Sequence, residues 1–391
     1  MPGQTLPLRY GTNPHQAPAQ LSVERGDLPV AVLNGAPGYI NLLDALNGWQ
    51  LVRELRVATG LPAATSFKHV SPAGAAVAVP LDDDARRAYF VAGEELSPLA
   101  TAYARARGAD RVSSFGDFAA LSEPVDRATA RLLRREVSDG VIAPGYEPGV
   151  LEILRRKRGG RYLVLAIDPT HEPGALERRE VFGLTLEQPP DRSAPSTAWL
   201  EQRVTRRREF PDAAIRDLLV ALVAAKYAQS NAVCLAYHGQ VIGLGAGQQS
   251  RIHCTRLAAA KADAWWLRRH PAALDLRFRP GLGRPERDNA IDGFVRDDLT
   301  AAERRVWSRA FDAVPALLAP DARRDWLARL RDIALASDAY IPYRDNIDRA
   351  HGSGVAYVAQ PGGSARDGEV IAACDEHGIA MAFTGVRLFH H

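Results

Sequence analysis

Leu61-Pro62-Ala63-Ala64-Thr65-Ser66-Phe67 runs directly into Lys68-His69-Val70-Ser71-Pro72-Ala73-Gly74, and the fold is read from this stretch. The apolar run predicts a strand, the polar pair after it a tight corner, and Ser71-Pro72 a helix start. Serine is a favoured N-cap. Proline suits the first helical position because its fixed φ is helical and its missing N–H is not needed there. Such a corner sets Lys68 and His69 at the carboxyl end of a strand beside the positive end of a helix, where open α/β sheets bind ligands. A histidine there exchanges a proton near neutral pH, and a lysine steadies negative charge developing on a nearby oxygen or nitrogen. Taken alone, adjacent Lys and His are more often one solvated and one packed residue, so the pair gains meaning only from the rest of the chain.

Upstream, Val30-Ala31-Val32-Leu33 predicts a short strand ending in the turn pairs Asn34-Gly35 and Pro37-Gly38. Leu42, Leu46, Trp49, Val52 and Leu55 then recur every three or four residues, the buried stripe of a helix. With the strand at 61–67 this makes a βαβ-like unit. Past an Asp82-Asp83-Asp84 loop, helix is expected through Arg105, and Ser113 to Asp117 reads as a glycine-containing loop that lets a ligand approach backbone. Glu136 to Gly145 reads as a turn and short strand with Asp139 at its start, and Arg155-Arg156-Lys157-Arg158 as a solvated helix end. Five prolines between Tyr162 and Leu200 (Pro169, Pro173, Pro189, Pro190, Pro195) break any long element, so a boundary is expected there between a first unit, 1–180, and a second, 181–391.

The second unit repeats the first in outline. A helix through Leu218 and Val223 precedes a hairpin, Ala232 to Tyr237 and Gln240 to Leu244, turning at His238-Gly239. Gly243, Gly245 and Gly247 lead into a helix from about Ser250, but GxGxG is not the GxGxxG spacing of a dinucleotide site. Ser250 and Arg251 at that helix start suit anion or carboxamide contacts, whereas His253-Cys254 makes no metal site by itself. From about 270 to 335, loop-like proline segments and two amphipathic helices, 300–311 and 320–335, predict a helical insert. Strands return at 355–359 and 379–383, around a helix through Ile371.

At 391 residues, 46% hydrophobic and 24% charged, the composition is that of an ordinary globular chain. A net charge of +3 supplies no field that would argue for nucleic acid or membrane as a partner. Cys234, Cys254 and Cys374 are far apart with no CxxC pair, so reduced thiols are expected rather than disulfides or a zinc cage. No apolar run is long enough to span a bilayer, and no basic-then-apolar targeting segment follows Met1, so a cytoplasmic enzyme is expected.

Leu8-Arg9-Tyr10-Gly11-Thr12-Asn13-Pro14-His15-Gln16, then Leu33 to Asn41, then Lys68 to Gly74 together resemble the AICAR transformylase family. That family is the formyltransferase half of a bifunctional purine-synthesis protein whose other half is IMP cyclohydrolase. The resemblance continues through Tyr103 to Arg111, Ser113-Ser114-Phe115-Gly116-Asp117, Ser230-Asn231, Gly245 to Cys254, Arg344-Asp345-Asn346 and Arg387-Leu388-Phe389-His390-His391. It implies an α/β fold of two cytidine-deaminase-like three-layer α/β/α units, the small helical insert lying in the second. It also implies an obligate homodimer with active sites shared across the interface. The reaction implied is transfer of the formyl group of 10-formyltetrahydrofolate to the 5-amino group of AICAR, giving FAICAR and tetrahydrofolate on the way to IMP. That amine is a poor nucleophile, its lone pair delocalised into the ring and carboxamide, so deprotonation must accompany attack.

By resemblance His69 matches the general base, and Lys68 the group that stabilises the oxyanion or the departing folate nitrogen. Arg9, Tyr10 and Arg387 match AICAR contacts, and the two arginines suit a phosphate monoester. Gly116, Asp139, Asn231, Arg251 and Tyr340 match positions lining the same nucleotide, with Asn231 offering the carboxamide both a donor and an acceptor, and Phe389 a ring to stack on the imidazole. Ile252, Asp345, Asn346, Ser364 and Ala365 match the folate side, with Pro342 and Tyr343 as walls. No catalytic metal is implied, because the H-x-E and P-C-x-x-C of zinc deaminases are missing. A structural potassium ion is implied near Asp338 and His390, and the terminal segment is expected to dock rather than fray.

Two departures stand out. Tyr340 and Tyr343 occupy positions where animal members carry phenylalanine, and Ser71-Pro72-Ala73 follows the animal-type variant where many bacterial members read Asn-Pro-Cys. Neither touches Lys68-His69. The resemblance starts at Arg9, which leaves no room for a cyclohydrolase domain, so a stand-alone transformylase that hands FAICAR to a separate IMP cyclohydrolase is expected. Two other classes compete with this reading. Arg9, Asn231 and Arg387 speak against a formyltransferase acting on an AICAR analogue in a specialised nucleoside pathway, and intact Lys68 and His69 against an idle nucleotide-binding protein.

Overall fold

The corner at Lys68-His69 joins two antiparallel strands, 63–68 and 71–77, and not a strand and a helix. His69 and Val70 have φ of 91° and 57°, the left-handed pair a two-residue hairpin turn requires. Histidine tolerates that region better than most residues, but a β-branched valine is an outlier there, and its support comes from outside the turn. The Asp44 carboxylate, on the helix preceding the hairpin, accepts hydrogen bonds from His69 N at 3.2 Å and Val70 N at 2.7 Å. Downstream, a Cβ on Gly74 would lie 2.1 Å from the Ala106 carbonyl, so glycine is what lets a later helix lie on this strand. Packing therefore overrules the helix-start signal of Ser71-Pro72.

The computed structural model describes residues 3–391. Its strands in the first half are β1 (Thr5–Leu8), β2 (Ala19–Ser22), β3 (Val30–Asn34), β4 (Ala63–Lys68), β5 (Ser71–Val77), β6 (Asp117–Leu121), β7 (Ser138–Ala143) and β8 (Leu163–Ile167). After the arm strands β9 (Glu177–Val181) and β10 (Leu184–Gln188) come β11 (Val233–Tyr237), β12 (Gln240–Gly245), β13 (Ile333–Ser337), β14 (Val355–Gln360) and β15 (Ala380–Phe383). The helices are α1 (Tyr39–Thr59), α2 (Asp83–Ala88), α3 (Pro98–Gly108), α4 (Arg127–Arg135), α5 (Val150–Arg155), α6 (Asp212–Lys226) and α7 (Arg251–Leu267). They continue with α8 (Pro271–Leu274), α9 (Arg284–Val295), α10 (Ala301–Trp307), α11 (Pro320–Leu327), α12 (Asp345–His351) and α13 (Asp367–Glu376).

Eleven strands form one mixed sheet in the order β15-β14-β13-β11-β12-β5-β4-β6-β7-β8-β3. Its two halves repeat one connectivity: a helix (α1, α6), a hairpin (β4–β5, β11–β12), a second helix (α3, α7), then three parallel strands (β6-β7-β8, β13-β14-β15). The halves join where β5 meets β12, at Ala76 and Gln240. Alternate strand residues face opposite ways, so Ala63, Ala75, Cys234 and Val241 pack into one core with α1 and α6. Ala64 and Ala76 pack against α3, and Leu235 and Ile242 against α7, on the other face. Gly243 repeats the role of Gly74: a Cβ there would meet the Ala258 carbonyl of α7 at 2.0 Å, and one on Gly245 the Cys254 carbonyl at 2.2 Å, so both let α7 lie on β12.

The stripe of α1 is as expected, with Leu42, Trp49, Val52 and Leu55 buried. Three expectations need correction. The last predicted helix, 320–335, ends at Leu327, because Ile333 onward is a fully buried strand of the main sheet. Asp82-Asp83-Asp84 is not a loop, since Asp82 caps α2 through Ala85 N. In the basic run Lys157 is buried, its Nζ 2.8 Å from Leu133 O and 3.9 Å from the Tyr162 ring centroid, and burial pushes its ammonium down to about 7. Among the described residues no helix is long and apolar enough to cross a membrane.

Candidate active site

From the strand directions, β4, β12, β13, β14 and β15 end along one edge of the sheet, where β5, β6 and β7 begin. Every candidate residue lies along this edge or on a segment next to it. Lys68, the last residue of β4, donates from Nζ to the Phe115 carbonyl at 2.5 Å. His69 is exposed, and its imidazole makes no hydrogen bond among the described residues. The pair borders a cavity of about 410 Å³ whose walls include Ser71, Ala73, Gln229, Gly247 and Lys261. A second cavity, about 380 Å³, opens on the other side of Lys68 between Phe115 and the start of α9.

Beneath that second cavity lies a paired lattice of buried charge. Arg107 bridges Asp117 at 2.6 Å and Glu136 at 3.1 Å, and Arg111 bridges Glu136 at 3.2 Å and Asp288 at 2.9 Å. Burial would raise the Glu136 carboxyl, but Arg111 and Arg107 outweigh it and hold the group below its ordinary value. Asp117 also accepts from Ser66 Oγ at 2.6 Å, which ties the lattice to the strand that carries Lys68. Removing a partner from such a pair costs far more than the pair contributes, so the lattice makes the floor rigid rather than reactive.

Arg9 lies against the start of α1, its Nη2 3.3 Å from Asn41 Oδ1, with Tyr10 beneath its guanidinium. Arg387 stacks on Phe389 at 4.6 Å. Lys68, Arg9 and Arg387 have no carboxylate partner among the described residues, and Arg9 and Arg387 are exposed. Arg9, a cation beside the N-terminus of α1, suits an anion. Asp139, at the start of β7, is paired to Arg158 at 2.5 Å, and Gly116 takes φ of 75° in the loop next to Phe115.

Asn231 and Arg251 form a second cluster. Arg251 Nη2 donates to Asn231 Oδ1 at 2.6 Å, and Nη1 pairs with the fully buried Asp338. The other Asp338 oxygen accepts from Ala232 N at 2.9 Å. The carboxyl-terminal tail docks here: Leu388 N donates to Asp338 O at 2.8 Å, and His390 N to Ser230 Oγ at 3.0 Å. The cluster reaches the first hairpin through Gln229 N, 3.2 Å from Ser71 Oγ. Asp338 does not fit a potassium cage in this arrangement, because the Arg251 guanidinium already occupies it and would repel a second cation. Among the described residues no group of three or more His, Cys, Asp or Glu is placed to hold a metal ion.

The remaining candidates follow β13 and β14. Tyr340 and Tyr343 are about half exposed, and Pro342 lies between them. Asn346 is buried, accepting from Thr255 Oγ1 at 2.7 Å, while its neighbour Asp345 is exposed. Ser364 and Ala365 follow β14, and Ile252 is the second residue of α7. Four strand intervals separate β4 from β13 and five separate it from β14, or about 19 and 24 Å at the usual spacing. A single chain thus brings Lys68 and His69 close to Gln229 and Gly247 but leaves Tyr340 to Asn346 and Ser364-Ala365 well to one side.

Reading the sequence missed Asp44, Gln229, Lys261 and the Arg251–Asp338 pair. Asp44 alone left a trace, as a charged residue inside the apolar stripe Leu42 to Leu55.

Residues 3–261 match the family model described as AICARFT/IMPCHase bienzyme. The chain is 33% identical to the bifunctional purine biosynthesis protein PurH of Sorangium cellulosum over 99% of its own length and 59% of that protein. It is 33% identical to the PurH of Xanthomonas campestris pv. campestris, covering 58% of it, and 32% identical to that of Cereibacter sphaeroides, covering 59%. The chain therefore spans a little under three fifths of the curated relatives it matches.

Proposed function

The chain belongs to the AICARFT/IMPCHase bienzyme family, and we propose that it carries out the formyl transfer of purine biosynthesis, from 10-formyltetrahydrofolate to the 5-amino group of AICAR. The observation that carries this reading is the corner itself, where an exposed imidazole with no hydrogen-bond partner among the described residues and a lysine held by one carbonyl border the same cavity. His69 takes a proton from the exocyclic amine as its nitrogen bonds to the formyl carbon. Lys68 stabilises the oxyanion of the tetrahedral adduct. The bond from that carbon to the folate N10 then breaks, and the imidazolium returns its proton to N10, leaving FAICAR and tetrahydrofolate. Arg9 and Arg387 hold the phosphate, Asn231 and Arg251 the carboxamide end, and Gly116, Asp139, Tyr340 and Phe389 the remaining faces of the nucleotide.

Each half of the sheet is a cytidine-deaminase-like unit on this reading, 1–180 and 181–391, and the protein is a homodimer. Two features support the dimer. The candidate folate residues, Ile252, Pro342, Tyr343, Asp345, Asn346, Ser364 and Ala365, include groups roughly 20 Å along the sheet from Lys68, so a second copy supplies the folate face. The β9–β10 arm also carries exposed Leu176, Val181, Leu184 and Leu186, with Phe182 fully exposed at its tip. Isolated two-stranded ribbons are marginal in water, and a stripe of this kind is stabilised by burial against another surface.

The test is steady-state turnover of the purified chain with 10-formyltetrahydrofolate and either AICAR or its ring analogues. Efficient formation of FAICAR supports the reading. A kcat/KM for an analogue well above that for AICAR assigns the chain to a specialised nucleoside pathway, and no product with any of them removes the formyltransferase reading.

A further inference from the structure

The two hairpins that meet at the centre of the sheet are built alike. Each turns on a histidine at positive φ, His69 at 91° and His238 at 49°. In each, an aspartate on the preceding helix accepts both turn amides. Asp44 does so at 3.2 and 2.7 Å, and Asp217 at 2.7 Å from His238 N and 2.6 Å from Gly239 N. Both carboxylates are buried, and each stands five residues after the first residue of its helix, Tyr39 or Asp212. The turns differ at their second position. Gly239 takes a left-handed backbone without steric cost, whereas Val70 is β-branched and an outlier there. They differ in surroundings as well. His238 lies at the opposite edge of the sheet, stacked on Tyr237 at 4.0 Å, while His69 opens onto the cavity.

We infer that Asp44 is the positioning residue of the Lys68-His69 corner: by accepting the His69 and Val70 N–H groups it holds a left-handed pair that valine would otherwise leave, and so aims the imidazole at the cavity. The inference rests on the reading of His69 as the general base. A glycine turn such as that at Gly239 needs no such hold to keep its shape. Asp44 is not among the residues that wall the cavity, so its loss acts through His69 and not on the bound nucleotide. Misplacing a reacting group by about 1 Å costs on the order of 10²-fold in rate.

Asp44→Ala, Asp44→Asn and Asp217→Ala test this in the full chain, with AICAR and 10-formyltetrahydrofolate kinetics and thermal midpoints measured together. Asp44→Ala should lower kcat by roughly 10²-fold while the AICAR KM changes by less than about threefold. Asp44→Asn keeps a carbonyl oxygen that accepts both amides and should return kcat to within about tenfold of wild type. Asp217→Ala should lose a comparable thermal midpoint and keep the wild-type kcat. An unchanged kcat in Asp44→Ala, an equal loss in Asp217→Ala, or an Asn variant as slow as the Ala variant each overturns the positioning role. Wild-type protein that forms no product removes the functional reading and this inference with it, whereas normal wild-type turnover beside an indifferent Asp44→Ala removes the inference alone.

Discussion

Removing both partners of the Arg251–Asp338 pair should cost far less than the two single removals added together. Asp338 is fully buried, and Arg251 is its only charged partner among the described residues. Breaking a buried pair from one side costs about 3–5 kcal/mol, because the charge left behind has no water to replace its partner. The two sides are not equivalent. After Asp338→Ala, Arg251 still donates to Ala232 O at 3.1 Å and Asn231 Oδ1 at 2.6 Å, so the cost should lie near about 3 kcal/mol. After Arg251→Ala, the Asp338 carboxylate keeps only the Ala232 N–H among the described residues, and the cost should approach about 5 kcal/mol. The double variant buries no unpaired charge and should lose only about 3–4 kcal/mol, a coupling of roughly 4 kcal/mol against the sum of the single variants. Urea denaturation of the four proteins measures this directly. Single losses that add to within about 0.5 kcal/mol would mean that the pair does not hold the cluster together.

Burial pushes the Asp44 carboxyl up to about 6 from an ordinary 3.8, with His69 opposing the shift and Asp139 and Asp117 adding to it. Between about pH 4 and 6 the folded chain then holds a proton on Asp44 that the unfolded chain has released, so the contribution of this one group to stability falls as pH rises through that window, by about 3 kcal/mol. Asp44→Asn does not titrate, so its stability relative to wild type should rise from pH 4 to 7 in thermal melts, and a pH-independent difference would count against the shift. Gly74→Ala puts a Cβ 2.1 Å from the Ala106 carbonyl and should destabilise by at least about 1–3 kcal/mol. Gly368→Ala, in α13 with nothing within 4 Å, should instead stabilise by roughly 0.5–1 kcal/mol, and calorimetry of the two variants checks both signs. Phe182→Asp at the tip of the arm should shift the protein towards monomer in sedimentation at micromolar concentration, while an unaltered dimer would place the interface elsewhere.

What the sequence discloses depends on how local the determining contact is. The stripe of α1 and the β11–β12 hairpin, with glycine in its turn, are set by neighbouring residues and were legible. The β4–β5 hairpin was not, because its turn carries His69-Val70 and its anchor, Asp44, lies a whole helix upstream. Ser71-Pro72 meanwhile imitates a helix start, and only the α3 backbone over Gly74 decides against it. The β9–β10 arm was hidden because Glu177 to Val181 is mostly charged and neither strand packs on the main sheet. Lys157 looked solvated in a basic run, and a burial imposed by Leu133, Ser138 and Tyr162 cannot be seen from its neighbours. The site residues came from motif order along the whole chain. The separation between Lys68 and the β13–β14 candidates emerges only from strand order.

The most direct measurement compares His69→Ala with wild type for formation of FAICAR from AICAR and 10-formyltetrahydrofolate, alongside AICAR binding by calorimetry. Loss of the general base should lower kcat by about 10²- to 10⁴-fold with nucleotide affinity nearly unchanged. A variant that turns over normally, or one that binds AICAR far more weakly and reacts at the wild-type rate once saturated, would contradict the account.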